Sequence, residues 1–403
     1  MKYTHLLLIL FTLFLLSGCG YFENNTAIIW TENYEIASIA ELYNANHEDR
    51  QVILKFKENP GEALAEGSEE PPDLIINANL WNSEIRNNFS PMNSLFEDER
   101  LNPEIFYQSL LNKCRFDENE QLFLPVSFNL GGIMFKQTNL PKTKDTFILT
   151  LEEIMKMGKQ YNSFSRDRFY RLGFSPLWSN RFIYYSMRLF NADFREYSNK
   201  LQWNESSMNK GISFLSSWIK SANRSLELDT QFSERYMYNP PYQLIQNDRI
   251  LFSFTTIRDF FAIPEGKRAG LDLNWISRAD ILPIQDNVLL MGIPEEAKNK
   301  KAAEHFLLWF YRNETHQHVL EKIQDKDIRT FGIAGGFSAL PSVNERDFPS
   351  SYPFLVGHIP PGDFLRFPSP LPLGWQNMKD KTVLPYLESR LREQETEKLE
   401  LRI

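Results

Sequence analysis

Apolar positions change period along this chain, and the changes mark out its elements. Ala27 to Trp30 (AIIW) is a short apolar run that predicts a buried strand. The next residues, IASIAELYNANH, repeat their apolar positions at helical spacing, and QVILKFK returns to an extended pattern, so the opening reads strand, helix, strand. An acidic, proline-containing loop from Glu66 to Pro72 leads to Leu74–Ile76, an apolar run short enough for a buried parallel strand. Residues 122–136 hold two extended runs around Asn129 and the Gly131-Gly132 pair, the glycines marking close backbone approach. A helix follows Thr150, a candidate N-cap with Glu153 in the capping-box position.

The second half repeats the alternation. Phe169 to Trp178 predicts a strand leading to a loop, and a helix follows that ends near Asn191. Residues 207–222 are an amphipathic helix, and a helix and strand pair interrupted by Pro240-Pro241 ends at Thr255, Thr256 and Arg258. Two extended segments, ADILPIQ and VLLMGIP, precede a helical run from Glu295 to Tyr311. Phe331 to Val343 is glycine-rich and stopped by Pro341, as a linker is, and the last residues from Thr382 predict a terminal helix. Strands alternating with helices imply α/β sheets, whose ligands sit beyond the carboxyl ends of strands. That rule selects Trp30 and Glu32 after the first strand, Asn77, Asn79 and Trp81 after the third, and Thr255 and Arg258 after the later one.

The N-terminus carries a different signal. Leu6 to Leu16 is an apolar run too short for a mature membrane helix, behind a positive charge at Lys2, and predicts a signal peptide over residues 1–18. Leu16-Ser17-Gly18-Cys19 resembles the lipobox of bacterial lipoproteins, which implies that Cys19 is the acylated N-terminus and residues 19–26 a tether. More than one acyl chain is needed for stable anchoring. An extracytoplasmic, lipid-anchored location on a bacterial membrane is therefore expected. The leaflet is left open, because the sorting rule at Gly20 varies between bacteria.

Composition narrows the function. The 403 residues exceed one domain, and a formal net charge of −8 without a dense Lys/Arg stripe removes the footprint of a nucleic-acid binder. With Cys19 acylated, only Cys114 is left, so no intramolecular disulfide is expected. His316 and His318 are two apart on a predicted helix, where their rings diverge, so no metal site and no cofactor are expected. The sequence has no H-E-x-x-H, C-x-x-C, G-x-S-x-G or phosphate-loop pattern, and carboxylate pairs such as Glu152-Glu153 and Glu295-Glu296 read as solvated helix faces, so the chain is not expected to be an enzyme. The 32 Phe, 16 Tyr and 8 Trp exceed what a small core needs and suggest that some rings line a cleft.

The order of these features resembles the extracytoplasmic solute-binding proteins of ABC importers, in particular the sugar-binding, maltose-binding-protein-like family. EPPDLIINAN is similar to the family's P-D strand, LFLPVSFNLGGIMFK to its G-L-P run, and ADILPIQ with VLLMGIPEEAKNKKAAEHFLLWFY to its later strands and helix. GGFSALPSV resembles its linker. The resemblance implies an α/β, two-lobed periplasmic-binding-protein-like fold. Each lobe would be a mixed sheet flanked by helices, with residues 27–126 and 288–335 in the N-terminal lobe and 127–287 and 336–403 in the C-terminal lobe. Crossing segments near Pro125 to Asn129, Asp286 to Leu289 and Gly335 to Ala339 would form a hinge beside an interlobe cleft.

Carried over by position, the family's ligand-binding residues fall on Trp30, Glu32, Asn77, Asn79, Trp81, Asn129, Trp178, Arg181, Thr255, Arg258 and Trp375. Phe135-Lys136 and the NADF segment depart from the family pattern. The implied function is a monomeric, lipid-anchored receptor that captures a small solute, a saccharide first, and delivers it to membrane permease subunits. A receptor for a non-sugar solute, or a structural or sensory lipoprotein on the same scaffold, is the alternative.

Overall fold

The computed structural model describes residues 25–116, 120–140, 147–325, 330–394 and Leu399. The lipobox, including Cys19, lies outside the described residues. Among those described, no helix is long and apolar enough to cross a membrane.

The chain opens with β1 (Thr26–Thr31), α1 (Ile36–Asn46), β2 (Gln51–Phe56) and β3 (Leu74–Ala78), as the pattern predicts. α1 buries Ile36, Ile39, Ala40 and Tyr43, one stripe at helical spacing. After irregular structure come β4 (Leu124–Phe128), β5 (Gly131–Lys136), β6 (Ile148–Thr150) and the helices α2 (Leu151–Tyr161), α3 (Asn180–Leu189) and α4 (Glu205–Ala222). Then follow β7 (Phe252–Thr256), α5 (Ile257–Ala262), β8 (Leu271–Ser277), β9 (Leu289–Gly292), α6 (Lys300–Phe310), α7 (Asn313–Asp325), β10 (Phe337–Ser338) and α8 (Leu384–Leu391).

Two mixed sheets organise these elements. The first runs β10-β4-β9-β3-β1-β2, with β1 parallel to β2 and β3, and β9 antiparallel to both β3 and β4. The second runs β7-β5-β8-β6, with β5 antiparallel to both neighbours and β8 parallel to β6. Only Asn129 and Leu130 separate β4 in the first sheet from β5 in the second, so the chain crosses between sheets there.

Local signals explain several boundaries. Thr150 and Glu153 form the expected capping box: the Glu153 N–H donates to Thr150 Oγ1 at 3.2 Å and the Thr150 N–H to Glu153 Oε2 at 2.9 Å. The helical run expected from Glu295 begins only at Lys300, because the Asn299 N–H donates to the buried Asp73 carboxylate at 2.7 Å and holds the preceding turn. The glycine-rich segment expected to be a linker contains β10, which pairs with Ser127 and Phe128. The chain is thus still bonded to the first sheet at Ser338, beyond the lobe boundary expected between residues 335 and 336.

Candidate functional site

The first sheet brings several chain segments to one edge. β1, β3 and β4 run the same way, and β9 and β10 oppose β4, so the carboxyl ends of the first three meet the amino ends of the last two. From these ends come Glu32 and Asn33 after β1, Asn77 in β3, Ser127 and Asn129 at the end of β4, Asn287 before β9, and Gly335 and Gly336 before β10. They line a cleft of about 180 Å³ that also includes Tyr34, and Arg258 from beyond β7 in the second sheet.

The polar groups are held in place. Asn77 Oδ1 accepts from the Glu32 N–H at 3.4 Å, and Glu32 Oε2 accepts from the Asn59 N–H at 3.4 Å. Asn33 accepts from the Glu35 N–H at 2.9 Å and donates to the Ala334 carbonyl at 3.0 Å. Asn129 is buried: its amide donates to the Gly335 carbonyl at 3.1 Å and its Oδ1 accepts from the Leu130 N–H at 2.9 Å. One side chain therefore fixes the first crossing against the turn before β10. Gly335 has φ +86°, and a Cβ there would lie 2.3 Å from Glu35 Oε2, so both conformation and space require glycine.

Contacts join the two halves across this cleft. Arg258 Nη2 lies 3.1 Å from Glu35 Oε1, which also accepts from the Thr330 hydroxyl. Elsewhere the Ser83 N–H donates to Glu196 Oε2 at 2.8 Å, in the hairpin Arg195–Tyr197 and Lys200–Gln202.

Of the residues predicted from the sequence, Glu32, Asn77, Asn129 and Arg258 meet in the cleft. The tryptophans do not. Trp30 is 1 % exposed in the core of the first sheet, with the Lys57 ammonium 5.0 Å from its ring, and Trp81 is also buried. Trp30 shares a face of β1 with the half-buried Thr26 and Ile28 and is buried nonetheless, which an apolar run of four cannot reveal. Asn79 occupies a turn at φ +59°, a conformation asparagine tolerates, and its carbonyl accepts from Asn82. Trp178 packs on Phe232 (5.9 Å, 23° between planes) and Phe174, and Arg181 pairs with Asp259 at 3.4 Å on the surface. Thr255 is half-buried, its hydroxyl donating to the Thr256 carbonyl.

Trp375 is 1 % exposed within the second core, and its Nε1 donates to Asp286 at 2.6 Å. Burial alone would raise the Asp286 carboxyl, but Lys379, 2.9 Å away, and Arg188 hold it below the usual carboxylate range. This buried group anchors the segment that carries Asn287 into the cleft, so Trp375 acts on the crossing rather than on the cleft wall. Asn33, Tyr34, Glu35, Ser127, Asn287 and the turn at 334–336 were missed. The first three directly follow Glu32 in one strand-end loop, and the turn was read as a linker.

Among the described residues, no group of three or more His, Cys, Asp or Glu side chains is placed to hold a metal ion. The cleft offers four asparagine amides, the Glu32 carboxylate, backbone groups and one cation already paired with Glu35. Amides both donate and accept, which suits a neutral ligand rich in hydroxyls.

No family model matches the sequence, and no curated protein matches it. Solved structures do. The chain is similar to the cyclic alpha-maltosyl-1,6-maltose binding protein from Arthrobacter globiformis, at 14 % identity over 92 % of this chain and 94 % of that one, with a TM-score of 0.63. It is similar to an ABC substrate-binding protein from Listeria monocytogenes in complex with cycloalternan, at 12 % identity, the same coverages and a TM-score of 0.66. Maltose-bound MalE3 of T. maritima gives 14 % identity over 92 % and 96 % of the two chains, with a TM-score of 0.63. These likenesses span nearly the whole chain, and its two mixed sheets with a cleft between them are the two-lobed α/β fold of ABC substrate-binding proteins.

Proposed function

We propose that this chain is a lipid-anchored, extracytoplasmic solute receptor that captures a saccharide between its lobes and delivers it to the permease subunits of an ABC importer. The cleft carries this reading: four asparagines converge at strand ends around a space bounded by both sheets, and their amides match sugar hydroxyls as both donors and acceptors. The fold supports it, since the structural neighbours named above are sugar-binding proteins. The role is binding without chemistry. The residues that line the cleft hold a ligand, and the second carboxylate beside it, Glu35, is engaged by Arg258 and Thr330. The parts of the chain built on the first and on the second sheet would move as the two lobes, with residues 127–128 and 337–338 staying with the first, and a ligand touching both favours the closed form. Acylation of Cys19 would keep this monomer near its permease, raising their effective concentration.

A thermal-shift screen of the full-length protein in detergent tests the reading, with maltose, mannobiose, amino acids and polyamines as probes. A saccharide at 100 times its Kd should stabilise the fold by about 2.7 kcal/mol and raise the Tm by roughly 3 °C. Asn77→Ala should abolish most of that shift. Stabilisation by an amino acid or polyamine instead would replace the saccharide, and no shift with any probe would favour a structural or sensory lipoprotein.

A further inference from the structure

A second cavity lies apart from the asparagine-lined cleft and shares no lining residue with it. Its volume is about 600 Å³ against about 180 Å³ for the cleft, within the roughly 300–1,000 Å³ of sites that enclose a small molecule. Both halves of the chain wall it. Phe261, Ile263 and Arg268 follow β7 of the second sheet, Ile323 lies near the end of α7, and Tyr352 and Phe354 come after β10. α7 belongs to the first sheet's side, where its Lys322 ammonium donates to the Ser38 carbonyl of α1 at 3.2 Å.

The wall is aromatic with a single cation in it. Phe261, Tyr352 and Phe354 are half-buried, so each ring keeps part of its surface for the cavity. Neighbours hold these rings: Phe261 stacks on Phe331 with centroids 4.9 Å apart, Phe354 stacks on His358 at 4.6 Å, and Tyr352 meets Phe261 edge-on at 5.0 Å. Other polar groups of the wall are engaged. The Thr330 hydroxyl donates to Glu35, the Gln324 amide donates to the Ser351 carbonyl, and the Tyr352 hydroxyl accepts from the Gly332 N–H at 2.8 Å.

Arg268 is held but not neutralised. Its Nη1 donates to the Phe261 and Ile263 carbonyls at 3.0 and 3.4 Å, and its guanidinium lies 4.6 Å from the Phe261 ring. Among the described residues no carboxylate pairs with it, and Glu265, the one acid in the wall, is exposed. Burial pulls the pKa of this cation down from its usual value, so a bound anion would offset a cost the protein already carries. With Nη1 committed to the backbone, the edge formed by Nε and Nη2 is left, the fork that takes a carboxylate through two parallel hydrogen bonds.

We propose that this cavity is a second ligand site, which takes an aromatic carboxylate of about two fused rings. Arg268 receives the carboxylate, and Phe261, Tyr352 and Phe354 pack against the rings. The site is independent of the receptor reading above, because none of its residues belongs to the cleft.

Calorimetry on the full-length protein, read against a protein-free detergent blank, tests it with naphthalene-2-acetate, naphthalene-2-acetamide and hexanoate as probes. Naphthalene-2-acetate should bind at one site per chain, the neutral amide about tenfold more weakly, and hexanoate, which has no ring, about fivefold more weakly. Arg268→Gln should weaken the acid about tenfold and leave the amide within about twofold, with Arg268→Lys between the two for the acid. Ile263→Trp should fill the cavity and abolish binding of both, whereas Asn77→Ala, in the cleft, should change neither. The acid and amide are compared on the unsubstituted protein, so that outcome stands even where a substitution lowers the Tm. No binding, equal affinity for acid and amide or for acid and hexanoate, binding that survives Ile263→Trp, or binding lost in Asn77→Ala would each overturn the second site. The receptor reading stands or falls separately, on the saccharide screen.

Discussion

The two sheets use their strand-end polar residues differently. In the first sheet, Asn77 and Asn129 lie at strand ends, tie neighbouring turns together, and line the cleft as well. In the second sheet, the strand-end hydroxyls serve helices: Thr150 caps α2, and Thr256 Oγ1 accepts from the Asp259 N–H at 3.1 Å to cap α5. The first sheet thus presents amides, whereas the second contributes Arg258 and an aromatic core of Phe174, Phe182, Trp218 and Trp375. In the second sheet a helix N-terminus follows closely enough to claim the strand-end hydroxyl, whereas none directly follows Asn77 or Asn129.

This division can be broken or sharpened by experiment. The largest effect is expected from Trp375→Ala, which empties a core site and deprives Asp286 of a donor; it should cost about 4 kcal/mol in denaturant unfolding. Lys379 still holds Asp286 beside Asn287, so saccharide affinity below the transition should fall only about threefold. A large loss of affinity with little loss of stability would put Trp375 back on the cleft wall.

The two halves should also respond to acid with opposite sign. His316 on α7 is buried against Phe310, its ring bonded to Ser338 at 3.0 Å, and burial pushes its pKa down to about 4. The unfolded chain binds the proton first, so this residue costs stability as pH falls from about 6.5 to 4. Asp229 accepts from Ser175 at 2.6 Å and Asn223 at 2.8 Å, yet burial raises its carboxyl to about 6. Here the folded state binds the proton first, so stability is lost as pH rises from about 4 to 6. Each contribution is about 3 kcal/mol, and the two oppose each other in the wild type. Unfolding midpoints of Asp229→Asn should fall steeply between pH 6.5 and 4, and those of His316→Asn should rise over the same interval. Parallel profiles for the two variants would refute the assignment.

A smaller effect is expected at the cleft itself. Gly335→Ala forces a side chain into a left-handed position against Glu35, and should cost about 2 kcal/mol and most of the saccharide affinity. Retained affinity would show that the turn at 334–336 does not shape the cleft. The smallest stability effect belongs to Arg258→Ala, because the pair with Glu35 is partly exposed and contributes less than about 1 kcal/mol. Its consequence should be conformational, a larger radius of gyration in solution scattering without ligand, and an unchanged radius would remove this pair as a tie between the lobes.

Much of the fold was legible because its signals are local. The strand-helix-strand opening, the Thr150-Glu153 capping box and the helices after Ser179 and Asn204 depend on residues a few positions apart. The cleft was legible in part. Glu32, Asn77 and Arg258 follow from the rule that ligands lie beyond strand ends, which needs only the strand boundaries, whereas Asn129 came from the family resemblance. The tryptophans were misread as cleft residues because large rings favour cores and clefts alike, and the difference lies in which face of the strand or helix is covered. β10 escaped notice because two residues form it, and its pairing partner is about 210 residues away in sequence.

The sequence by itself determined the order of strands and helices, the polar residues at the ends of β1, β3, β4 and β7, and the candidate address at Cys19, since periodicity, caps and targeting motifs are written in neighbouring residues. Only the tertiary structure decided that Trp375 bolts Asp286, that Glu35 and Arg258 meet, and that Phe261 stacks on Phe331 beside a second cavity. Those pairs join residues that local periodicity cannot relate, and they exist because sheet pairing and the crossings between the two sheets bring them together.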